Sequence, residues 1–250
     1  HQDAAAGPRV ADSDARLVFF FDARTYERIG EPLPVGGGVE SVAYSPDGKT
    51  VAFGGDGYIR LIDARSREQL ASARVTERFG GDNAGLASRI AFTRDGSQLV
   101  VVVGSESGAW ISVRDAATLV ATGPPIEPEG FDAAYVGSYF ELPGFALMPD
   151  GRSVVIATEE DELVWWNLRR RTPTRRLAIG PGQHALALSP DGGTVAIGVE
   201  QGIQLVDTRS GAVRTAAGAH GGAPSWLLFS PDGGTVVSTS PDGTVALWDA

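Results

Sequence analysis

The stretch "SPDG" at residues 230–233 also stands at 45–48 and 189–192, with near-copies at 93–96 ("TRDG") and 148–151 ("MPDG"). Each is a tight turn by composition. Proline presets φ, aspartate bonds back to nearby backbone N–H groups, and glycine accepts a positive φ. The five glycines, Gly48, Gly96, Gly151, Gly192 and Gly233, lie 48, 55, 41 and 41 residues apart. A second marker keeps the same beat. A polar residue closes an apolar run at Asp22, Asp63, Asp115, Asn167, Asp207 and Asp249, with gaps of 41, 52, 52, 40 and 42. Two markers sharing a base period near 41 mean a repeat protein, with extra residues in two of its units.

The second unit shows what is repeated. "VESVAYS" (39–45) alternates, "PDG" turns, "TVAFGG" (50–55) runs apolar, and "DG" turns again. "YIRLID" (58–63) and "QLASARV" (69–75) follow, so the unit reads as four short strands. No window carries a persistent helical stripe. Four strands every ~41 residues predict an all-β propeller of four-stranded antiparallel blades. A sandwich needs about seven strands, far fewer than this chain offers. The six units fall at approximately 1–34, 35–74, 75–123, 124–179, 180–219 and 220–250, in one propeller domain. The first unit lacks its first strand and the last lacks its fourth. The reading therefore expects residues outside 1–250 to complete a ring of seven blades rather than six.

Composition narrows the function classes. The chain has 250 residues, a net charge of -10, a pI near 4.8, no cysteine and three histidines. An acidic chain argues against a direct nucleic-acid partner. Apolar runs such as 99–103 and 17–21 are too short to span a bilayer, so no membrane partner is expected. The opening residues show no secretory signal, and the reading places the chain in the cytoplasm. No metal-ligand spacing surrounds His1, His184 or His220, and "GGGVE" at 36–40 lacks the lysine of a phosphate loop. No metal, cofactor or catalytic group is expected. The acidic run Glu159-Glu160-Asp161-Glu162 reads as a solvated turn.

The last unit carries a family resemblance. "HGGAPSWLLFSPDGGTVVSTSPDGTVALWDA" (220–250) resembles a WD repeat, with Gly218-Ala219-His220 in place of Gly-His, then "FSPDG", Ser238, Asp242 and Trp248-Asp249. The resemblance implies a hydrogen-bonded structural network of His220, Ser238, Asp242 and Trp248 inside the blade. A Ser-His-Asp hydrolase reading of the same residues is the weaker one. Elsewhere Ile62, Arg114 and Val206 replace the tryptophan, Trp166 keeps it, and the histidine is missing. The Arg-rich "SPDG…DARS" style is similar to the propellers that end actinobacterial multidomain ATPase-type regulators.

Two insertions break the period, 76–88 and 127–144, each between one blade and the next. The resemblance puts both on one face, the face of the second-to-third strand turns. Phe79, Asp82, Phe131, Tyr135, Tyr139 and Phe140 are the partner-binding candidates there, rimmed by Glu127, Glu129, Asp132 and Glu141. Two readings stand for the aromatics: they anchor a partner, or they fold down and cap a blade edge. The third-to-fourth strand turns are arginine-rich: Arg24, Arg65, Arg67, Arg169, Arg170, Arg171, Arg175, Arg176 and Arg209. The plain expectation pairs these with the aspartates of the PDG turns. The leading function is a non-catalytic scaffold that binds a protein partner or a sister domain within a larger bacterial regulator. The rival is a propeller enzyme of lactonase or hydrolase type, which needs carboxylates, histidines or a metal converging on the channel mouth.

Overall fold

The computed structural model describes residues 9–14, 17–35, 38–75, 86–105, 108–131, 134–136, 139–141, 144–182, 185–200 and 202–250. They group into two compact units. One comprises His1–Phe92, Gly96–Val103 and Arg114–Pro124, the other Thr93–Asp95, Gly104–Val113 and Pro125–Ala250. Among the described residues every regular element is a β-strand.

The strands follow the repeat. The first sheet holds β1 (Arg9–Asp14), β2 (Leu17–Asp22) and β3 (Leu33–Pro34). The second holds β4 (Ser41–Tyr44), β5 (Thr50–Gly55), β6 (Tyr58–Asp63) and β7 (Gln69–Arg74). The third is β8 (Leu86–Phe92), β9 (Gln98–Ser105) and β10 (Gly108–Asp115). A separate two-stranded hairpin comes next, β11 (Ala134–Val136) and β12 (Tyr139–Glu141). The fourth sheet is β13 (Phe145–Leu147), β14 (Ser153–Ala157), β15 (Glu162–Asn167) and β16 (Thr172–Ala178). The fifth is β17 (Leu186–Leu188), β18 (Thr194–Val199), β19 (Gly202–Asp207) and β20 (Val213–Ala217). The sixth is β21 (Trp226–Phe229), β22 (Thr235–Thr239) and β23 (Val245–Asp249). Each sheet is a meander whose strands pair in sequence order. The β5 and β6 bounds coincide with the stretches 50–55 and 58–63 read from the sequence.

Stacking of the sheets supplies the core. In the fourth sheet Val155, Ala157, Leu163 and Trp165 share one face, and they pack on Leu186, Val195, Ile197 and Val206 of the fifth. The opposite face of the fifth sheet, with Ala185, Ala196, Ile203 and Leu205, packs on Leu227, Phe229, Val236 and Trp248 of the sixth. In the other unit Val18 and Phe20 pack on Val51, Phe53 and Ile62 in the same manner. A middle strand such as β18 is thus buried on both faces, and it reads as an unbroken apolar run instead of an alternating one.

Two turn types hold each meander in register. In the first-to-second turn, Ser45 Oγ donates to Asp47 Oδ1 at 2.7 Å and accepts from Thr50 N at 2.9 Å. Ser189 with Asp191 and Ser230 with Asp232 repeat this. Gly48 sits there at φ 69°, which is why the motif ends in glycine. In the third-to-fourth turn the closing Asp or Asn accepts the N–H groups two and three residues on. Asp63 Oδ1 takes Arg65 N at 2.9 Å and Ser66 N at 2.6 Å. Asp22, Asp115, Asn167 and Asp207 do likewise. The polar residue that closes each apolar run is there to cap this turn.

Candidate functional site

The sixth sheet gathers its polar residues into one chain of hydrogen bonds. β22 carries Ser238 and β23 carries Trp248 on the face that packs on the fifth sheet, and both are buried. Trp248 Nε1 donates to Ser238 Oγ at 2.7 Å, and His220 Nε2 lies 2.6 Å from the same oxygen. His220 Nδ1 lies 2.5 Å from Thr244 Oγ1, which donates to Asp242 Oδ1 at 2.5 Å. Asp242 also accepts Thr244 N at 2.8 Å and, on Oδ2, Gly221 N at 2.6 Å. A neutral imidazole protonated at Nδ1 gives every group one role. Protons then run from Trp248 to Ser238, His220, Thr244 and Asp242.

The four residues named from the sequence therefore sit together, but Asp242 reaches His220 only through Thr244. The signal for Thr244 was the turn "DGT", where a hydroxyl two residues after an aspartate falls within its reach. The hydroxyl of Thr244, then the N–H groups of Gly221 and Thr244, hold the Asp242 carboxyl well below the usual carboxylate range. Ser238 is 0% exposed, so its Oγ offers no approach to a substrate. The arrangement is a clasp that fastens the segment before β21 to the β22–β23 turn.

Other units keep parts of this clasp. Asp56 Oδ2 accepts Gly38 N at 2.5 Å, as Asp242 accepts Gly221. Arg114 occupies the tryptophan position, buried, and donates from Nη1 to Leu119 O at 2.7 Å. Burial lowers its guanidinium below the ordinary value. Trp166 keeps the indole, but Ile156 stands in register where the sixth sheet has Ser238. Among the described residues the buried Trp166 Nε1 has no acceptor.

The 127–144 insertion is rooted on the fourth sheet. Glu159 N donates to Gly130 O at 3.0 Å. Arg176 bridges Glu162 at 2.8 Å and Glu129 at 3.4 Å. The Glu162 hydrogen bond, ahead of the surrounding carboxylates, raises the Arg176 pKa. The acidic run 159–162 covers the β14–β15 turn and the first residue of β15, Glu162. Phe131 is 1% exposed, so the expectation of Phe131 as a surface anchor is corrected. The root of the loop folds down, and burying an aromatic ring there is favoured over leaving it wet. Beyond it, β11 and β12 pair with Tyr135 opposite Phe140 and Val136 opposite Tyr139. Phe79 and Asp82 lie outside the described residues.

The arginines also depart from expectation. Asp47, Asp191 and Asp232 bond serine hydroxyls and backbone N–H groups, and Lys49 stands 3.7 Å from Asp47. Three arginines instead reach carbonyl oxygens at the end of a neighbouring sheet's third strand or in the turn after it. Arg67 donates to Glu31 O at 2.8 Å and to Ile29 O. Arg175 donates to Thr208 O at 3.0 Å and Arg209 O at 3.2 Å, lying over the Trp165 ring. Arg214 donates to Asp249 O at 3.3 Å. A guanidinium with five donors suits such multiple carbonyl capping.

The sequence matches the model of the WD domain, G-beta repeat, over residues 32–63 and 213–249. No curated protein is similar enough in sequence to stand as a relative. Two solved structures are similar in fold. One is a chain of the hydrazine synthase of Kuenenia stuttgartiensis, 17% identical with a TM-score of 0.72, covering 93% of this chain and 70% of that one. The other is a chain of the mitotic checkpoint complex, 20% identical with a TM-score of 0.72, covering 97% of this chain and 72% of that one.

Proposed function

We propose that this all-β propeller of the WD-repeat type, with its repeated antiparallel blades, is a non-catalytic protein-interaction module. The observation that carries this reading is the β11–β12 hairpin. It is a two-stranded sheet outside the blades, preceded by a segment that the Glu159 N–H and the Arg176 side chain tie to the fourth sheet at Gly130 and Glu129. A hairpin that pairs Tyr135 with Phe140 suits an interface centre, and the sequence sets Glu127, Glu129 and Glu141 beside it. The fitting partner is a protein surface, or a sister domain, with basic and apolar character. The serine-histidine pair of the sixth sheet is committed to the clasp, which disfavours the hydrolase reading.

The finer setting rests on the sequence alone. Its arginine bias and its "SPDG…DARS" style are similar to propellers of actinobacterial ATPase-type regulators, and the proposed role is partner binding within a cytoplasmic protein of that kind. The test is affinity capture with the intact chain and with Tyr135→Ala/Phe140→Ala, each checked by thermal melting. Loss of the captured protein at unchanged Tm supports the reading. A lowered Tm with unchanged capture overturns it and makes the hairpin a cap.

A further inference from the structure

The turn that follows β15 differs in charge from its counterparts. Asp22, Asp63, Asp115 and Asp207 cap the third-to-fourth turns of the first, second, third and fifth sheets with a carboxylate. The charges of Arg24, Arg65 and Arg209 act directly on Asp22, Asp63 and Asp207, so those turns are largely neutral. The fourth sheet puts an uncharged amide there. Asn167 Oδ1 accepts Arg169 N at 3.1 Å and Arg170 N at 2.8 Å. The same turn carries the chain's only run of three arginines, Arg169-Arg170-Arg171. The carboxylate is missing where the positive charge is greatest.

The backbone holds this charge in place. Arg171 N donates to Asn167 O at 2.7 Å, and Leu168 N donates to Arg152 O at 2.9 Å, which joins the β13–β14 turn to this one and adds a fourth arginine. Arg152, Arg169 and Arg170 are exposed and Arg171 is partly so. None of the four side chains has an ion pair or hydrogen bond with another described residue. The one carboxylate in these two turns, Asp150, is taken up by Ser153 Oγ and by the N–H groups of Arg152 and Ser153. Like charges held this close repel, and a bound anion relieves the repulsion. Guanidinium groups take carboxylates in bidentate pairs, and a turn already fixed by its cap adds little ordering cost on binding. We propose that Arg152, Arg169, Arg170 and Arg171 dock a short carboxylate-rich segment of a partner protein. The site stands at the Asn167 end of β15, whereas the 127–144 insertion is tied to the fourth sheet at Glu159 and Glu162, at the other end. It is a second surface, independent of the hairpin. A short acidic segment meets only the arginines. A nucleic acid extends past them onto a chain of net charge -10, which repels it.

The probe is fluorescein-labelled decaglutamate, titrated with the 250-residue chain at low salt and followed by anisotropy. Saturable binding that weakens as salt rises is expected. Arg169→Glu/Arg170→Glu should lower the affinity at least about tenfold, through the loss of two charge-assisted contacts. Asn167→Asp is the sharper variant. It still caps Arg169 N and Arg170 N, as aspartate does in the other turns, and it restores only the missing negative charge. It should weaken binding several-fold at unchanged Tm, a response that a purely structural turn would not give. Arg65→Glu, in the turn that Asp63 caps, and Tyr135→Ala/Phe140→Ala should both bind like the parent. The proposal is overturned by an absence of saturable binding, or by full affinity in Asn167→Asp. A loss in Arg65→Glu equal to that of the double arginine variant also overturns it, since bulk charge then explains the binding. A loss in the hairpin variant overturns it by moving the peptide to the other end of β15. A duplex DNA oligonucleotide that binds the same arginines more tightly than decaglutamate overturns it in favour of a nucleic acid.

Discussion

Ser238 Oγ stands between Trp248 Nε1 and His220 Nε2 with no water-facing surface, so its removal cannot be compensated by solvent. Ser238→Ala leaves a buried indole N–H and a ring nitrogen without partners, at a cost of about 1–3 kcal/mol. Urea denaturation of the variant should give a lower midpoint at unchanged slope, and a midpoint equal to the parent's would refute the clasp. Thr244→Val tests the relay separately. It severs His220 from Asp242 without touching Ser238, so a loss smaller than that of Ser238→Ala is expected. The histidine, serine, aspartate and tryptophan of this clasp were readable because the last unit keeps the family's spacing. Thr244 was missed although "DGT" puts its hydroxyl within reach of Asp242, because the onward link to His220 depends on side-chain geometry, which spacing does not encode. Arg114 and the lone Trp166 indole show the same limit: a degenerate motif tells which residue is missing and not what replaces its bonds.

At the scale of the strand and its turn, one position recurs with a positive φ. Tyr26, Arg67, Leu119, Arg171 and Gly211 each follow a capping Asp or Asn by four residues, at φ of 59°, 65°, 59°, 57° and 78°. Each donates its N–H to that residue's carbonyl, as Arg67 does to Asp63 O at 2.9 Å. Only one of the five is glycine, so four turns carry the strain that an L-residue suffers there, about 1–2 kcal/mol. Tyr26 is exposed and makes no buried packing, so Tyr26→Gly is expected to raise the melting midpoint. Gly211→Ala is expected to lower it, because the new Cβ also runs into the Arg175 guanidinium that caps Thr208 and Arg209. Opposite signs for the two variants are the check, and equal signs would dismiss the strain argument. The same turns set the acid limit. Backbone N–H groups of Ser66 and Arg65 hold Asp63 below its ordinary 3.8, and the Ser45 hydroxyl with the Lys49 N–H does so for Asp47. Asp22, Asp115, Asp191, Asp207, Asp232 and Asp242 are lowered in the same way. A depressed carboxylate stabilises the fold above its unfolded value and loses that contribution as pH falls towards its folded one. The melting temperature should therefore hold between pH 7 and 5 and fall steeply below about pH 4. A flat profile down to pH 3 would mean that these turns do not contribute. The turns themselves were legible in the sequence, since proline, aspartate and glycine act locally. The destination of the arginines was not, because Arg67, Arg175 and Arg214 bond partners more than thirty residues away.

Across the molecule, stability in a stacked repeat is a sum of each sheet's own strength and its contacts with its neighbours. The period near 41 marked the units, and short apolar or alternating runs between turn residues marked their strands. The β11–β12 hairpin escaped because its few residues are too short to show a period. The stacking sum predicts an order of opening for the sheets from the fourth to the sixth. β18 is buried on both faces against the fourth and sixth sheets, whereas β22 is buried on one face only. Amide exchange should therefore be slowest in β18, slow in β14 and faster in β22, because local opening follows the apolar contact that each strand would lose. Leu205→Ala makes the argument specific. Leu205 lies in the layer between the fifth and sixth sheets, with Leu227, Phe229 and Trp248. Truncating it costs about 2–5 kcal/mol through lost burial and the cavity left behind. Nearest-neighbour coupling confines that loss mainly to the two sheets that share the layer. Hydrogen-exchange mass spectrometry of Leu205→Ala should show β21–β23 exchanging markedly faster and β14–β15 nearly as in the parent. Uniform acceleration of every strand would instead make the fourth to sixth sheets a single cooperative unit, and the additive account of their stacking would have to be abandoned.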